Sequence, residues 1–425
     1  MTAKRVAIVG GGWAGLAAAV KASQLGYQVT LFEMAQHLGG RARSLGAPDA
    51  GPRLDNGQHI LIGAYQASLS LLEAVGVDLK QGFLRQPLRL RYPRHEGLCL
   101  PPGPALISFV RGILAYRAWP LAARLSLLLT ATGWLLRRFE CAPMLNVAAL
   151  SAGLPAIVRQ ELIEPLCVAA LNTPADQASA QVFLRVLRDA LFSGRGSADL
   201  LLPKLPLSAL LAEPAATWLS ARGVKIHLNT RVQALTQCPA GWSVDGQAFE
   251  QVILACTSAQ AAILCAEIAP AWASQAGALQ YQPIMTVYLR SAGSQLPAAM
   301  VALQESAEAP AQFAFDLGQL GHDPGLFAFV ISGAANWVER GLAASGEATL
   351  QQALAQFTWH NPPQIHRVLA EKRATFACIP GLQRPPTSIK PGLWAAGDYV
   401  DGPYPATLEG AVRAGFNAAA NLPPI

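Results

Sequence analysis

Gly10-Gly11-Gly12-Trp13-Ala14-Gly15, followed 18 residues later by Glu33, places three glycines and an acid where the diphosphate and ribose of a dinucleotide could be held. In that spacing Gly10 permits a tight turn. Gly12 removes a side chain so that backbone can approach a pyrophosphate, and Gly15 lets a helix pack closely on a strand. The N–H groups of a helix opening at Trp13 and Ala14 supply the positive end, and Glu33 accepts hydrogen bonds from a ribose diol. Glycines at these intervals also arise by chance in a Gly-rich chain. What gives them weight is the structure their neighbours are expected to form.

Those neighbours read as strand, helix and strand. Lys4–Val9 is a short β-branched apolar run, the pattern of a strand buried on both faces. Leu16–Leu25 is an Ala-rich helix closed by Gly26, and Gln28–Phe32 is a second strand with Glu33 at its end. Residues 85–208 read as mostly helical, in Leu/Ala/Arg runs broken by Pro104, Pro120, Pro143, Pro155 and Pro174. A β pattern returns at 223–228 and 241–254, and Tyr281–Leu289 and Leu326–Ile331 predict strands of a second sheet. Thr349–Phe357 predicts a helix, Leu393–Ala396 a short strand, and Leu408–Ala420 a final helix.

At 425 residues the chain exceeds one domain of about 100–200 residues. It is 52% hydrophobic and 14% charged, against about 25% charged in an average soluble chain. The apolar surplus points to a greasy cavity, a membrane-facing patch, or both. Net charge is +6, and it is local: Arg85–Arg138 holds nine arginines, no lysine and one acid, Glu96. These arginines are embedded among Leu, Trp and Phe with no nucleic-acid module around them, which argues against nucleic acid and for an anionic surface. Seven cysteines without a CxxC argue against a disulfide framework or a zinc site and fit a reducing cytoplasm. No secretory signal and no transmembrane helix are expected.

Six residues past Glu33 lies Gly39-Gly40-Arg41-Ala42-Arg43, which a plain NAD domain does not require. Taken alone, Arg41 and Arg43 could be solvated loop charges. Together with Gly223–Val232, Val252–Thr257 and Gly397-Asp398-Tyr399…Pro405-Ala406-Thr407-Leu408-Glu409-Gly410, the segment resembles the amine-oxidase / phytoene-desaturase superfamily of FAD enzymes over essentially the whole chain. The resemblance implies an α/β fold: a split Rossmann-type FAD-binding domain (residues 1–84, 209–265 and 370–425) interleaved with an α+β substrate and membrane-associating domain (85–208 and 266–369). It further implies that Gly40 and Arg41 lie by the FAD phosphates and that Gly57 and Gln58 lead past the flavin. Val232 would meet adenine through its backbone, Gly397 and Asp398 the ribityl or phosphate region, and Thr407 and Leu408 the flavin ring. The SGGCY-like segment that carries covalent flavin in monoamine oxidases is missing, so the implied FAD is non-covalent.

Asp55-Asn56-Gly57-Gln58-His59, running on through Ile60-Leu61-Ile62-Gly63, together with Arg195…Asp199, resembles the squalene-associated branch of that superfamily, the hydroxysqualene dehydroxylases. This implies transfer of hydride from reduced FAD to an allylic carbon of a hydrophobic C30 isoprenoid alcohol with loss of water, and a proton donor for the departing hydroxide. His59, Asp55 and Tyr404 are the catalytic candidates, with Asp199 and Asp401 behind them. His59 is equally readable as a structural histidine, and Asp55 as a turn cap. A carotenoid-type desaturase, an amine oxidase and a non-catalytic prenyl-lipid carrier are the competing readings. A lipid-borne substrate would give the basic segment a purpose. Pro120 splits it into helices near 105–118 and 121–138, with Arg117 and Arg124 on nearly one face, suited to lying on an anionic bilayer surface. The expected location is cytoplasmic and peripheral to the inner membrane. The alternative is that these helices only cap the substrate domain. No second dinucleotide fingerprint identifies the electron donor that FAD would need.

Overall fold

The computed structural model describes residues 4–46 and 53–424; residues 1–3, 47–52 and 425 lie outside the description. The chain opens with β1 (Arg5–Val9), α1 (Trp13–Gln24) and β2 (Gln28–Phe32). A helical stretch follows, containing α2 (Ala105–Ala115), α3 (Leu121–Leu136), α4 (Glu164–Leu171) and α5 (Ala180–Phe192). The chain returns through β3 (Lys225–His227) and β4 (Gln251–Leu254), then crosses a second sheet carrying β5 (Tyr281–Arg290), β6 (Leu326–Ile331) and β7 (Gln364–Phe376). It ends with β8 (Leu393–Ala395) and α6 (Leu408–Ala420).

The first sheet has six strands in the order β3-β2-β1-β4-β8 and then Ser388–Lys390, parallel throughout except at that last edge. Ala7 stands opposite Thr30 on one side and Val252 on the other, and β1 and β4 are buried almost completely. Strands buried on both faces need helices against them. α1 supplies one and packs on α6 so closely that a Cβ on Gly415 would lie 2.2 Å from the carbonyl oxygen of Ala14. The first and last helices of the chain are thus locked backbone to backbone.

The second sheet is antiparallel with five strands, ordered Met300–Ala302, Phe313–Asp316, β6, β5, β7. The thirteen-residue β7 has no counterpart in the sequence expectations. It is an edge strand of long polar side chains, buried fully only at Phe376, so no apolar alternation announces it. Leu200–Pro203 also departs from the helical expectation. It is a strand between Leu61–Ile62 and Phe83–Gln86, buried at every position, and a continuous apolar run of that kind does not distinguish strand from helix.

Candidate active site

The turn after β1 is built as its glycines demand. Gly10 has φ +112°, and a Cβ on Gly15 would lie 1.9 Å from the carbonyl oxygen of Gly10. No side chain caps the N-terminus of α1, whose first residues Trp13, Ala14 and Gly15 are buried. A buried helix end with free N–H groups requires a partner, and an anion satisfies it. A Cβ on Gly12 would meet nothing nearer than the Cα of Gly40, at 3.8 Å. The space in front of Gly12 is therefore open between the two glycine turns. The indole of Trp13 donates to the carbonyl of Ala42 at 3.3 Å and ties those turns together.

Glu33 is buried at the end of β2. Its carboxylate accepts from the N–H of Gly11 at 2.6 Å and of Ala35 at 2.8 Å, which fixes it and leaves further lone pairs on both oxygens. The β3 segment turns back to it, with Thr230 N–H donating to the Glu33 carbonyl. Val232 has a buried side chain, while neither its N–H nor its carbonyl has a partner among the described residues, the state that backbone recognition of a base needs. These groups fit a dinucleotide: orphan N–H groups for a diphosphate, a held acid for a diol, free backbone for a base.

Farther along the same face, residues distant in sequence converge. Arg41 pairs with Asp398 at 2.5 Å and donates to the carbonyl of Ala374 at 2.7 Å. Burial works against the guanidinium charge, and Asp398 with Tyr281 and Glu371 outweighs it, raising its pKa. Asn56 bridges the Arg41 carbonyl and Glu371. Gln58 donates to the hydroxyl of Tyr288, which donates in turn to the backbone carbonyl of Asp55. Two residues after Gly397, the hydroxyl of Tyr399 is buried without a partner among the described residues, as is that of Thr286, 4.0 Å from where a Cβ on Gly57 would stand. The sequence did not mark these two orphan hydroxyls, and a buried hydroxyl without a partner is a group that a bound ligand could satisfy. Thr407 caps α6, accepting from Gly410 N–H and donating to the Tyr404 carbonyl, so its hydroxyl is engaged and Leu408 opens the helix.

The acid–base candidates separate on geometry. The Nδ1 of His59 lies 2.8 Å from the carbonyl of Gly57, and a carbonyl only accepts, so Nδ1 carries the proton. Burial holds the imidazole below its ordinary pKa. The neutral ring then offers Nε2 as an acceptor, which is the opposite of the donor role expected from sequence. Asp55 accepts from Ser44 Oγ at 2.6 Å and Leu207 N–H at 3.0 Å; burial lifts its pKa to about 6 against the pull of both bonds. Its carboxylate ties two chain segments together. Tyr404 is buried under the guanidinium of Arg413, with Asp189 near its hydroxyl. Asp199 pairs with Arg85 at 2.8 Å, and Asp401 with Arg384 at 3.2 Å. None of these five lines the large cavity described next.

That cavity has a volume of about 440 Å³. Its lining includes Ile60, Ile62 and Tyr65, from the segment that follows His59. Its walls come from α2 (Leu106, Phe109, Val110), α3 (Leu127, Leu128, Ala131, Trp134, Leu135) and α5 (Phe183, Val186, Leu187), with Leu162 and Leu166 beside them and Met300 and Phe313 of the second sheet closing it. The lining is almost wholly hydrocarbon, within the range of about 300–1,000 Å³ usual for small-molecule sites.

A parallel sheet with a glycine turn feeding a buried, uncapped helix end, set beside an apolar cavity, defines a nucleotide-cofactor enzyme of the α/β class. The chain belongs to the flavin containing amine oxidoreductase family, whose sequence pattern matches residues 13–423. It is a flavin-dependent oxidoreductase. It is 29% identical to the hydroxysqualene dehydroxylase of Rhodopseudomonas palustris over 98% of this chain and 97% of that one. It is 26% identical to the protein of the same name from Sinorhizobium fredii, again over 98% and 97%. Among solved structures, an oxidoreductase from Methanosarcina mazei superposes with a TM-score of 0.75 at 18% identity, covering 98% of this chain and 100% of that one.

Proposed function

We propose that this protein holds FAD non-covalently and reduces hydroxysqualene to squalene. The observation that carries the reading is the cavity: about 440 Å³ of hydrocarbon-lined space whose wall includes Ile60, one residue from His59 and three from Gly57. The names of the relatives supply the substrate, and a C30 chain suits a lining of Leu, Ile, Val and Phe. Bound in its reduced form, the flavin would supply a hydride. The alcohol gains that hydride at its allylic carbon, takes up one proton and releases its oxygen as water. Residues of this chain would do the rest. Arg41, Glu33, Val232 and the end of α1 hold the cofactor. The cavity wall excludes water, so an allylic centre is not captured by solvent, and its aromatic faces favour developing positive charge. His59, as a neutral acceptor, orients what lies before it. The division into cofactor segments 1–84, 209–265 and 370–425 and substrate segments 85–208 and 266–369 belongs to the same proposal. Anaerobic reduction followed by addition of hydroxysqualene tests it, with squalene and reoxidised flavin as the expected products. Bound flavin without squalene would shift the reading to a desaturase.

We propose also that α2 and α3 rest on an anionic membrane surface. Among the described residues no helix is long and apolar enough to cross a membrane. Yet Ile107, Leu121, Leu129 and Leu136 are 55, 57, 73 and 79% exposed, with Arg111, Arg117, Arg137 and Arg138 exposed around them. The shared helix face expected for Arg117 and Arg124 is not formed, because α2 ends at Ala115 and Arg117 lies in the turn before α3; Arg124 donates to the Leu114 carbonyl and closes the end of α2. Leu106 and Leu135 both line the cavity and reach solvent, so cavity and exposed patch meet there. The protein should float with anionic vesicles at low salt, and Leu129→Glu/Leu136→Glu should sink while keeping its flavin. Wild-type protein left at the bottom at low and high salt alike would refute the membrane reading.

A further inference from the structure

The cavity that would take the substrate contains very few polar side chains, and their hydrogen-bonding states differ. Thr132 donates to the Leu128 carbonyl of its own helix at 2.8 Å, so its hydroxyl is engaged. Trp134 lies on α3, next to the exposed Leu135 at the open side. Tyr65 also lines the cavity, on the segment that arrives from Gly57–Ile60. Its ring stacks edge-on against Tyr404 at 6.0 Å, beside the turn that opens α6. Its hydroxyl has no hydrogen-bond partner among the described residues, and unlike that of Tyr399 it is not sealed from solvent.

A donor left without a partner in a hydrocarbon cavity is a liability for an all-hydrocarbon ligand and an asset for a ligand with one oxygen. We infer that Tyr65 is the anchor for the substrate's single hydroxyl, donating a hydrogen bond to it and so fixing the C–O bond beside the Gly57–Tyr65 segment while the hydrocarbon fills the remainder. The inference deepens the reading of the cavity as the site of a hydroxylated isoprenoid and rests on it. Burial, with the Glu409 carboxylate nearby, holds the Tyr65 phenol above its ordinary pKa, so it keeps its proton and acts as a hydrogen-bond donor rather than as the acid consumed in the reaction. It thereby separates recognition of the oxygen from supply of the proton.

The test is a binding ratio with the flavin left oxidised, so that no turnover intervenes. Hydroxysqualene and squalene are titrated into the holoenzyme in the same detergent, for wild type, Tyr65→Phe and Trp134→Phe. Phenylalanine keeps the ring contact with Tyr404, and the flavin absorbance of the variant reports that the site is intact. In Tyr65→Phe the preference for the alcohol over the hydrocarbon should fall about 10-fold, with squalene binding unchanged or tighter. A ratio within twofold of wild type, or a fall appearing in Trp134→Phe instead, would overturn the assignment. Wild-type enzyme that shows the Tyr65-dependent ratio but forms no squalene when reduced would contradict the proposed reaction and leave this anchor standing.

Discussion

Gly12→Asp should yield a folded, colourless protein. Gly12 is the residue before α1, with φ −75° and ψ −176°, a conformation open to any residue. Its Cβ would meet only the Cα of Gly40 at ordinary contact distance. Aspartate is among the best residues for that helix position, so the fold should be as stable as wild type or more so. The added carboxylate would occupy the open space and engage the orphan N–H groups that a diphosphate needs, and would repel a diphosphate besides. Flavin affinity should drop on the order of 100-fold or more. Gly15→Ala makes the opposite case: its Cβ would lie 1.9 Å from the Gly10 carbonyl oxygen, so it should damage folding itself. Visible flavin absorbance together with a thermal melt separates the two. A Gly12→Asp protein that purifies yellow at wild-type occupancy would contradict the assignment of this space to the cofactor.

The second large effect is expected at Glu409, which has 0% exposure at the first turn of α6. Its carboxylate accepts from Ala67 N–H, Ser68 N–H, Ser68 Oγ and Arg413 Nε at 3.1, 2.8, 2.7 and 2.7 Å. Helix Gln66–Ala74 has no side-chain cap of its own, so Glu409 caps it from across the structure. Alanine there would strand buried N–H groups and Arg413 together, a loss of about 3–5 kcal/mol. The damage falls between Tyr65 and Leu408, where cavity and cofactor motifs meet, so flavin retention should weaken as well. Urea unfolding of the holoprotein measures it; a change below about 1 kcal/mol would show that the carboxylate is not holding this junction.

What could be read from the sequence divides along physical lines. The βαβ unit was legible because its requirements are local: β1 is a continuous buried run, Gly10 must adopt positive φ, and Gly15 must leave room for backbone. Strand β6, a short apolar run rich in aromatic and β-branched residues, and the amphipathic helix α6 were likewise legible locally, and Leu326–Ile331 and Leu408–Ala420 agree with expectation at both ends. β7 was not legible, because an exposed edge strand carries no apolar signal. The site itself is assembled across the chain: Arg41 with Asp398, Asn56 with Glu371, Glu409 with Ser68. No local pattern encodes such pairs, and only the family resemblance brought both ends together. Tyr65, Tyr399 and Thr286 passed unnoticed for a related reason. A hydroxyl becomes informative only when the surrounding fold leaves it without a partner, and that is decided by tertiary placement. The tautomer of His59 also needed coordinates, since it follows from the Gly57 carbonyl beside it.

In the proposed function, this flavoenzyme removes a hydroxyl from a C30 alcohol by reduction. The most direct measurement is a single turnover: holoenzyme reduced anaerobically with dithionite, freed of excess reductant, and mixed with hydroxysqualene in detergent, with flavin absorbance followed and the extract analysed by mass spectrometry. Squalene should form in a one-to-one ratio with reoxidised flavin. Flavin that stays reduced beside unchanged hydroxysqualene would contradict it.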